Sequence, residues 1–259
     1  MYNSLQLREI FHIEFLRWFS RKVKPEYYGL KGGTNIRFFF HSFRYSEDMD
    51  IDILGMSLGA LKDTVMNILD GRAFKESLKP FGIKEITPPN IIKAKQTETT
   101  QRFKVHIITN GGEDLSTKVE FSRRGFKGNI IVGSISDTVL RPYKLLPLLI
   151  PHYDVQSVVM QKLNALAKRT IIQARDIFDL YLLIPQLGEA GIKGGKLIDK
   201  PTLLKAYENI FEVDFEIFRD TVISYLAIED QAAYRNVSSW EEVRLKVSQF
   251  IEGLVKTHG

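Results

Sequence analysis

The sequence predicts an α+β (α/β) architecture, with strands and helices over residues 1–150 and a helical domain over 151–259. Three observations carry this. Apolar residues recur at helical spacing near the start, short β-rich segments fill the middle, and helical spacing returns after a proline-rich stretch near 150.

Residues 4–22 place Leu7, Ile10, Phe11, Phe15, Trp18 and Phe19 on one helical stripe, and "KPEYYG" stops it. "LKGGTNIRFFF" reads as a strand end, a glycine turn, and a short helix or second strand. "DMDIDIL" alternates as a strand does. "SLGALKDTVMNILD" has a Ser start and helical spacing, closed by "GRAF". "GIKEI", "NIIKAKQT", "RFKVHIIT", "LSTKVEFS" and "NIIVGSI" read as strands paired antiparallel between Thr, Asn and Gly turns. "RPYKLLPLLIPHY", with three prolines, reads as a connector. Helices are expected at about 153–169, 174–187, 201–211, 214–227 and 238–256.

A chain of 259 residues with 44% hydrophobic residues can bury a sizeable core, and 26% charged residues is a globular proportion. Absence of cysteine excludes disulfides and thiolate metal sites. Arg8, Glu9, Glu14 and Arg17 interrupt the first apolar stretch, so it reads as an amphipathic helix and not as a signal peptide. No apolar run reaches the ~18 residues of a membrane span. The expected location is the cytoplasm, with no membrane partner. The net charge of +5 divides into +7 over 1–150 and −2 over 151–259. A basic surface around an acidic centre suits a polyanionic substrate, and a merely solvated surface explains the charge equally well.

The acidic centre is "SEDMDIDI". Strand side chains alternate between faces, so Asp48, Asp50 and Asp52 share one face while Met49, Ile51 and Ile53 share the other. Asp48 and Asp50 would stand about 7 Å apart at Cα, close enough to repel unless a cation joins them. Oxygen-only ligands favour Mg2+ or Mn2+. An edge strand made acidic against mispairing is the alternative. Fourteen residues before Asp48 stands "KGGT", where paired glycines let backbone N–H groups approach an anion at a helix start. The P-loop pattern is absent. A phosphate cradle ahead of an acidic metal strand suits a nucleoside triphosphate and its metals.

Gly32-Gly33 followed by Ser46-x-Asp48-x-Asp50 resembles the signature of the DNA-polymerase-β-like nucleotidyltransferase superfamily. The fuller "LKGGTNIRF…FRYSEDMDIDI" is similar to the AbiEii-type toxin nucleotidyltransferases, which include the MenT enzymes. A second block, "DVQSVVMQKLNALAKRTIIQARDIFDLYLL", resembles that family's helical motif through Lys162, Ala165-Leu166, Arg169, Arg175-Asp176 and Asp179-Leu180. The resemblance implies a polymerase-β-like domain with a mixed twisted sheet. It also implies transfer of a nucleoside monophosphate from an NTP to an acceptor hydroxyl, with RNA, at a tRNA 3′ end, as acceptor. A cognate antitoxin protein is the implied partner. Asp48 and Asp50 would hold metal; Gly32, Gly33, Thr34 and Ser46 would bind nucleotide; Lys162 would meet the β/γ-phosphates. Asp176 would hold Lys162 or lie near the acceptor. Because the superfamily commonly adds a third carboxylate, Glu120 is a metal candidate; an ordinary pairing with Lys118 is the alternative.

On the residues alone, Lys162, Leu166 and Arg169 share a helix face, and a surface ion-pair network explains the block without catalysis. Asp52, Arg169 and Asp179 stay open between function and bracing. Glu47 points away from the acidic face, and Arg37 and Arg44 flank the site as possible phosphate contacts. The five histidines lack paired metal spacing and read as structural. "GIKGGK" (Gly191–Lys196) reads as an interhelical loop. "RFKVH" and "FSRRGFKGN" interleave basic and aromatic residues, as RNA-binding surfaces and solvated strands both do. A non-catalytic nucleotide- or RNA-binding module and an enzyme nucleotidylating protein are the rival functions.

Overall fold

In the computed structural model, residues 2–90, 96–188 and 198–257 are described. The chain divides into two compact units, Met1–His41 with Tyr45–Tyr153, and Ser42–Arg44 with Asp154–Gly259. Ser42–Arg44, within the 1–150 span expected for the first domain, thus belongs to the second unit.

The first unit is built on one sheet. Its strands are β1 (Tyr28–Lys31), β2 (Met49–Ile53), β3 (Ile83–Thr87), β4 (Gln96–Thr97), β5 (Thr100–Thr109), β6 (Asp114–Ser122), β7 (Ile130–Ser134) and β8 (Leu149–Tyr153). The order is β3-β5-β6-β2-β1-β8-β7, with β4 beside β5. Strands β3, β5 and β6 pair antiparallel as predicted, while β2 joins β6 in parallel. Helices α1 (Ser4–Phe19), α2 (Gly32–Phe39), α3 (Leu58–Leu69), α4 (Arg72–Leu78) and α5 (Asp137–Leu140) complete it.

Alternation along the central strands decides the core. Met49, Ile51, Ile53, Val119 and Phe121 are fully buried and share one hydrophobic cluster with Leu7, Phe11, Phe15 and Phe19 of α1. Each such side chain contributes ~1.5–3 kcal/mol on burial. The opposite face of the same strands carries Asp48, Asp50 and Asp52.

The structure corrects three expectations and extends a fourth. The helix before "GRAF" closes at Leu69 as expected, but after Gly71 the chain starts α4, because Phe74 and Leu78 bury into the core. "LLPLLIPHY" is not only a connector, since β8 lies inside the sheet between β1 and β7. Burial of Ile150, Pro151 and Tyr153 outweighs the N–H that Pro151 lacks, and pairing with β1 is limited to Leu30 opposite His152. With β8 in the sheet, β7 pairs with it and does not extend the β5–β6 meander. Finally, α1 is covered on its polar side too: Glu9, His12 and Glu14 are buried. Glu9 accepts from Arg37 at 2.6 Å and from the Tyr143 hydroxyl at 2.6 Å, and Arg37 also lies over the Tyr45 ring. Arg37 is thus a brace and not a phosphate contact. Most of "NIIKAKQT" and all of "GIKGGK" lie outside the described residues, as does His258.

The second unit contains α6 (Val155–Lys168), α7 (Ala174–Leu183), α8 (Lys200–Ile210), α9 (Phe215–Thr221), α10 (Ile228–Gln231) and α11 (Val237–Thr257). Its core includes Leu163, Leu166, Phe178, Phe218 and Trp240, and Phe43 packs against Phe178 within it. No helix among the described residues is long and apolar enough to cross a membrane.

Candidate active site

The glycine turn joins β1 to α2. Lys31 is extended, Gly32 takes φ +70°, and the helix begins there without a side-chain cap. Its first N–H groups therefore keep the free donors that suit an anion. A Cβ on Gly32 would lie 2.9 Å from Asp50 Oδ2, the movable end of a side chain, so it is the positive φ that requires glycine. The turn follows Lys31, the register partner of Asp50, and so lies beside the acidic strand. Thr34 Oγ1 and Ser46 Oγ both donate to the Asp48 carbonyl, at 2.9 and 2.8 Å. These two hydroxyls, read from sequence as nucleotide contacts, hold the start of β2 in place.

The registers of β1, β2, β5 and β6 place Lys31, Asp50, Glu120 and Arg102 side by side in one row across four strands. Arg102 donates to Glu120 at 2.8 Å. One step along, Lys118 pairs with Asp48 at 2.9 Å. Lys118 is therefore the partner of Asp48, and Glu120 pairs with Arg102 where the alternative reading had paired it with Lys118. Burial pushes the Asp50 carboxyl above the usual range; Lys31 and Lys118 oppose this while Glu120 and Asp48 add to it. Asp52 is a different case. It is buried, paired with Lys31 at 2.5 Å, and accepts from the Tyr153 hydroxyl at 2.6 Å. Its oxygens are committed, so Asp52 is structural.

Sequence reasoning missed what seats the acidic loop from behind. His12 Nε2 lies 2.8 Å from Thr117 Oγ1, and that hydroxyl donates to the Glu47 carbonyl at 2.7 Å. His12 must then donate, as a neutral ring. Burial, with the Arg8 charge adding, pushes its pKa down to about 3. An unfolded histidine titrates near ~6.5, so this term of stability is complete above that pH and is lost as pH falls toward about 3, by up to ~1.4 kcal/mol per unit. His12→Gln keeps an N–H for Thr117 and should flatten that dependence. Urea titrations at several pH values between 7 and 4 read it; an unchanged slope would remove His12 as the source.

Lys162 and Asp176 belong to the second unit. There Lys162 Nζ lies 2.8 Å from Asp176 and 2.6 Å from Asp179, both fully buried. Arg169 pairs with Asp176 at 2.9 Å, and Arg44 donates to both Asp179 oxygens at 3.0 Å. Asp176 thus holds Lys162, one of its two expected positions. Arg44, Arg169 and Asp179 brace the unit, and Arg44 is not a loose phosphate contact. The motif's Arg169 closes α6, and Leu166 is core.

Among the described residues, no three His, Cys, Asp or Glu side chains are gathered closely enough to hold an ion as they stand. Asp48 and Glu120 are each turned to a cation. The donor set is nevertheless all carboxylate, on one face, with Asp50 crowded by like charge. That chemistry fits a hard divalent cation such as Mg2+ or Mn2+.

A family model described as "Nucleotidyl transferase AbiEii toxin, Type IV TA system" matches residues 14–238. No curated protein matches. Among solved structures, the chain is similar to MenT4, a nucleotidyltransferase toxin from Mycobacterium tuberculosis, at 17% identity and TM-score 0.59, covering 96% of this chain and 84% of that one. A putative nucleotidyltransferase from Helicobacter pylori matches at 17% identity and TM-score 0.58, covering 99% and 97%. JHP933 from Helicobacter pylori matches at 18% and 0.57, covering 99% and 94%. At these identities the structural likenesses establish the nucleotidyltransferase fold.

Proposed function

We propose, from the premise that the chain belongs to the AbiEii nucleotidyltransferase toxin family, that it moves a nucleoside monophosphate from an NTP to a hydroxyl of RNA, with a tRNA 3′ end as the leading acceptor. The observation that carries this reading is the row Asp50–Glu120, with Asp48 one step along and the Gly32 turn following Lys31, the register partner of Asp50. Asp48, Asp50 and Glu120 would hold Mg2+ or Mn2+. A divalent cation bound there supplies positive charge for an attacking hydroxyl and a leaving pyrophosphate. The free N–H groups at Gly32–Gly33 receive phosphate oxygens, and Thr34 and Ser46 keep the loop in position. Lys162, oriented by Asp176, supplies a further positive charge for the triphosphate. Catalysis then comes mainly from positioning and electrostatic stabilisation.

The family description places the chain in a toxin–antitoxin system, which implies an antitoxin partner and a nucleotide substrate. Action in the cytoplasm, where NTPs and RNA meet, follows from the same reading. The test is incubation with each of four labelled NTPs, Mg2+ and total RNA. Label on RNA with one or two NTPs is expected. Label on protein instead would move the acceptor to a protein hydroxyl. No label on either, with toxic expression intact, would overturn the reaction.

A further inference from the structure

We propose that Lys118 and Arg102 are exchangeable counter-ions: they hold Asp48 and Glu120 in the metal-free chain, and turn to the substrate's polyphosphate once a divalent cation takes the carboxylates. The proposal rests on the nucleotidyltransfer reading above.

The two pairs differ from the Lys31–Asp52 pair beside them. In Lys118–Asp48 the side chains are 27% and 38% exposed, and in Arg102–Glu120 they are 42% and 24%. Such half-exposed pairs are weak and break readily. The Lys31–Asp52 pair, by contrast, has its carboxylate 5% exposed and tied to Tyr153. Of these three pairs, the two looser ones fall on metal candidates, and the locked one on the carboxylate that is not one.

Lys118 also has an unfavourable neighbour. Lys104 stands directly opposite it across β5 and β6, is exposed, and has no ion-pair partner among the described residues. Like charges so placed repel, which Asp48 now relieves for Lys118. If a cation takes Asp48, Lys118 and Lys104 face each other with no carboxylate between them. Around the metal row, Asp48, Asp50, Asp52 and Glu120 stand against Lys31, Lys104, Lys118 and Arg102, four charges of each sign. Each divalent cation added leaves two positive charges uncompensated. A polyphosphate restores balance, and ammonium and guanidinium groups are suited to it.

Exchange predicts effects of opposite sign from one substitution. In Lys118→Gln, Mn2+ binding without nucleotide, read by electron paramagnetic resonance of free Mn2+, should tighten by about fivefold because a competitor is gone. Binding of Mn2+–tripolyphosphate, read by calorimetry, should weaken by about tenfold. Lys104→Gln, which removes the repulsion but frees no carboxylate, should tighten Mn2+ binding by less than Lys118→Gln does, and Lys118→Arg should restore both constants. Arg102→Gln repeats the test on Glu120 if Lys118→Gln does not fold. Unchanged or weaker Mn2+ binding in these Gln variants, with wild-type binding still lost in Asp50→Asn, overturns the exchange alone. A wild-type chain that binds no Mn2+ overturns it together with the metal reading.

Discussion

Asp50→Asn is expected to lose nucleotidyl transfer by about a thousandfold or more and, in metal-free buffer at pH 7, to unfold at a higher temperature than wild type. Activity falls because the amide keeps the shape of the side chain but removes charge from the candidate metal row. Metal-assisted stabilisation is worth several kcal/mol, and ~4 kcal/mol is about a thousandfold in rate. Stability rises because ionised Asp50 is a cost to the fold. Burial raises its pKa first of all, and Lys31 does not fully compensate against Glu120 and Asp48. A carboxyl with a raised folded pKa carries no penalty below its ordinary pKa of 3.8 and the full penalty above the folded value. The gain in melting temperature should therefore be present at neutral pH and vanish as pH approaches 3.8. Wild-type transfer by Asp50→Asn would end the metal assignment. A gain independent of pH would end the electrostatic account.

Asp179→Asn is expected to destabilise the chain by ~3–5 kcal/mol, because it leaves two buried cations facing a neutral amide. Burial would raise the Asp179 pKa, but Arg44 and Lys162 outweigh it and hold the carboxyl below its ordinary value. Its contribution is thus present above pH 3.8 and lost as pH falls below it. Lys162→Met should cost less. Without Lys162, Arg44 still pairs Asp179 and Arg169 still pairs Asp176, so two cations balance two carboxylates. Lys162 is the surplus charge of the cluster, which is why its removal is the cleaner probe of a phosphate contact. Urea titrations of the full chain compare the two variants. A loss under ~1 kcal/mol in Asp179→Asn would mean that the cluster does not brace the helices.

Much of this was legible in the sequence because it depends on local periodicity. Alternation in "DMDIDI" assigned Met49, Ile51 and Ile53 to the core and the aspartates to the other face, as the structure has it. The glycine pair announced a turn into a helix, and helical spacing located α6, α7, α8 and α11 to within a few residues. Proline misled at Pro151, where a buried strand tolerates a missing donor.

What the sequence by itself determined, then, is which residues are acidic and which face of their strand they occupy. Tertiary structure decided which cation answers each carboxylate. Lys118 and Glu120 are neighbours on one strand and invite pairing, yet the parallel register of β2 and β6 sets Glu120 beside Asp50 and leaves Lys118 to Asp48. Asp52 became structural only because Tyr153 arrives on β8, far along the chain. The reason is physical. A strand's alternation follows from its own backbone geometry. The register between distant strands is set by burial of their apolar faces, and the polar face must take whatever neighbours that burial brings.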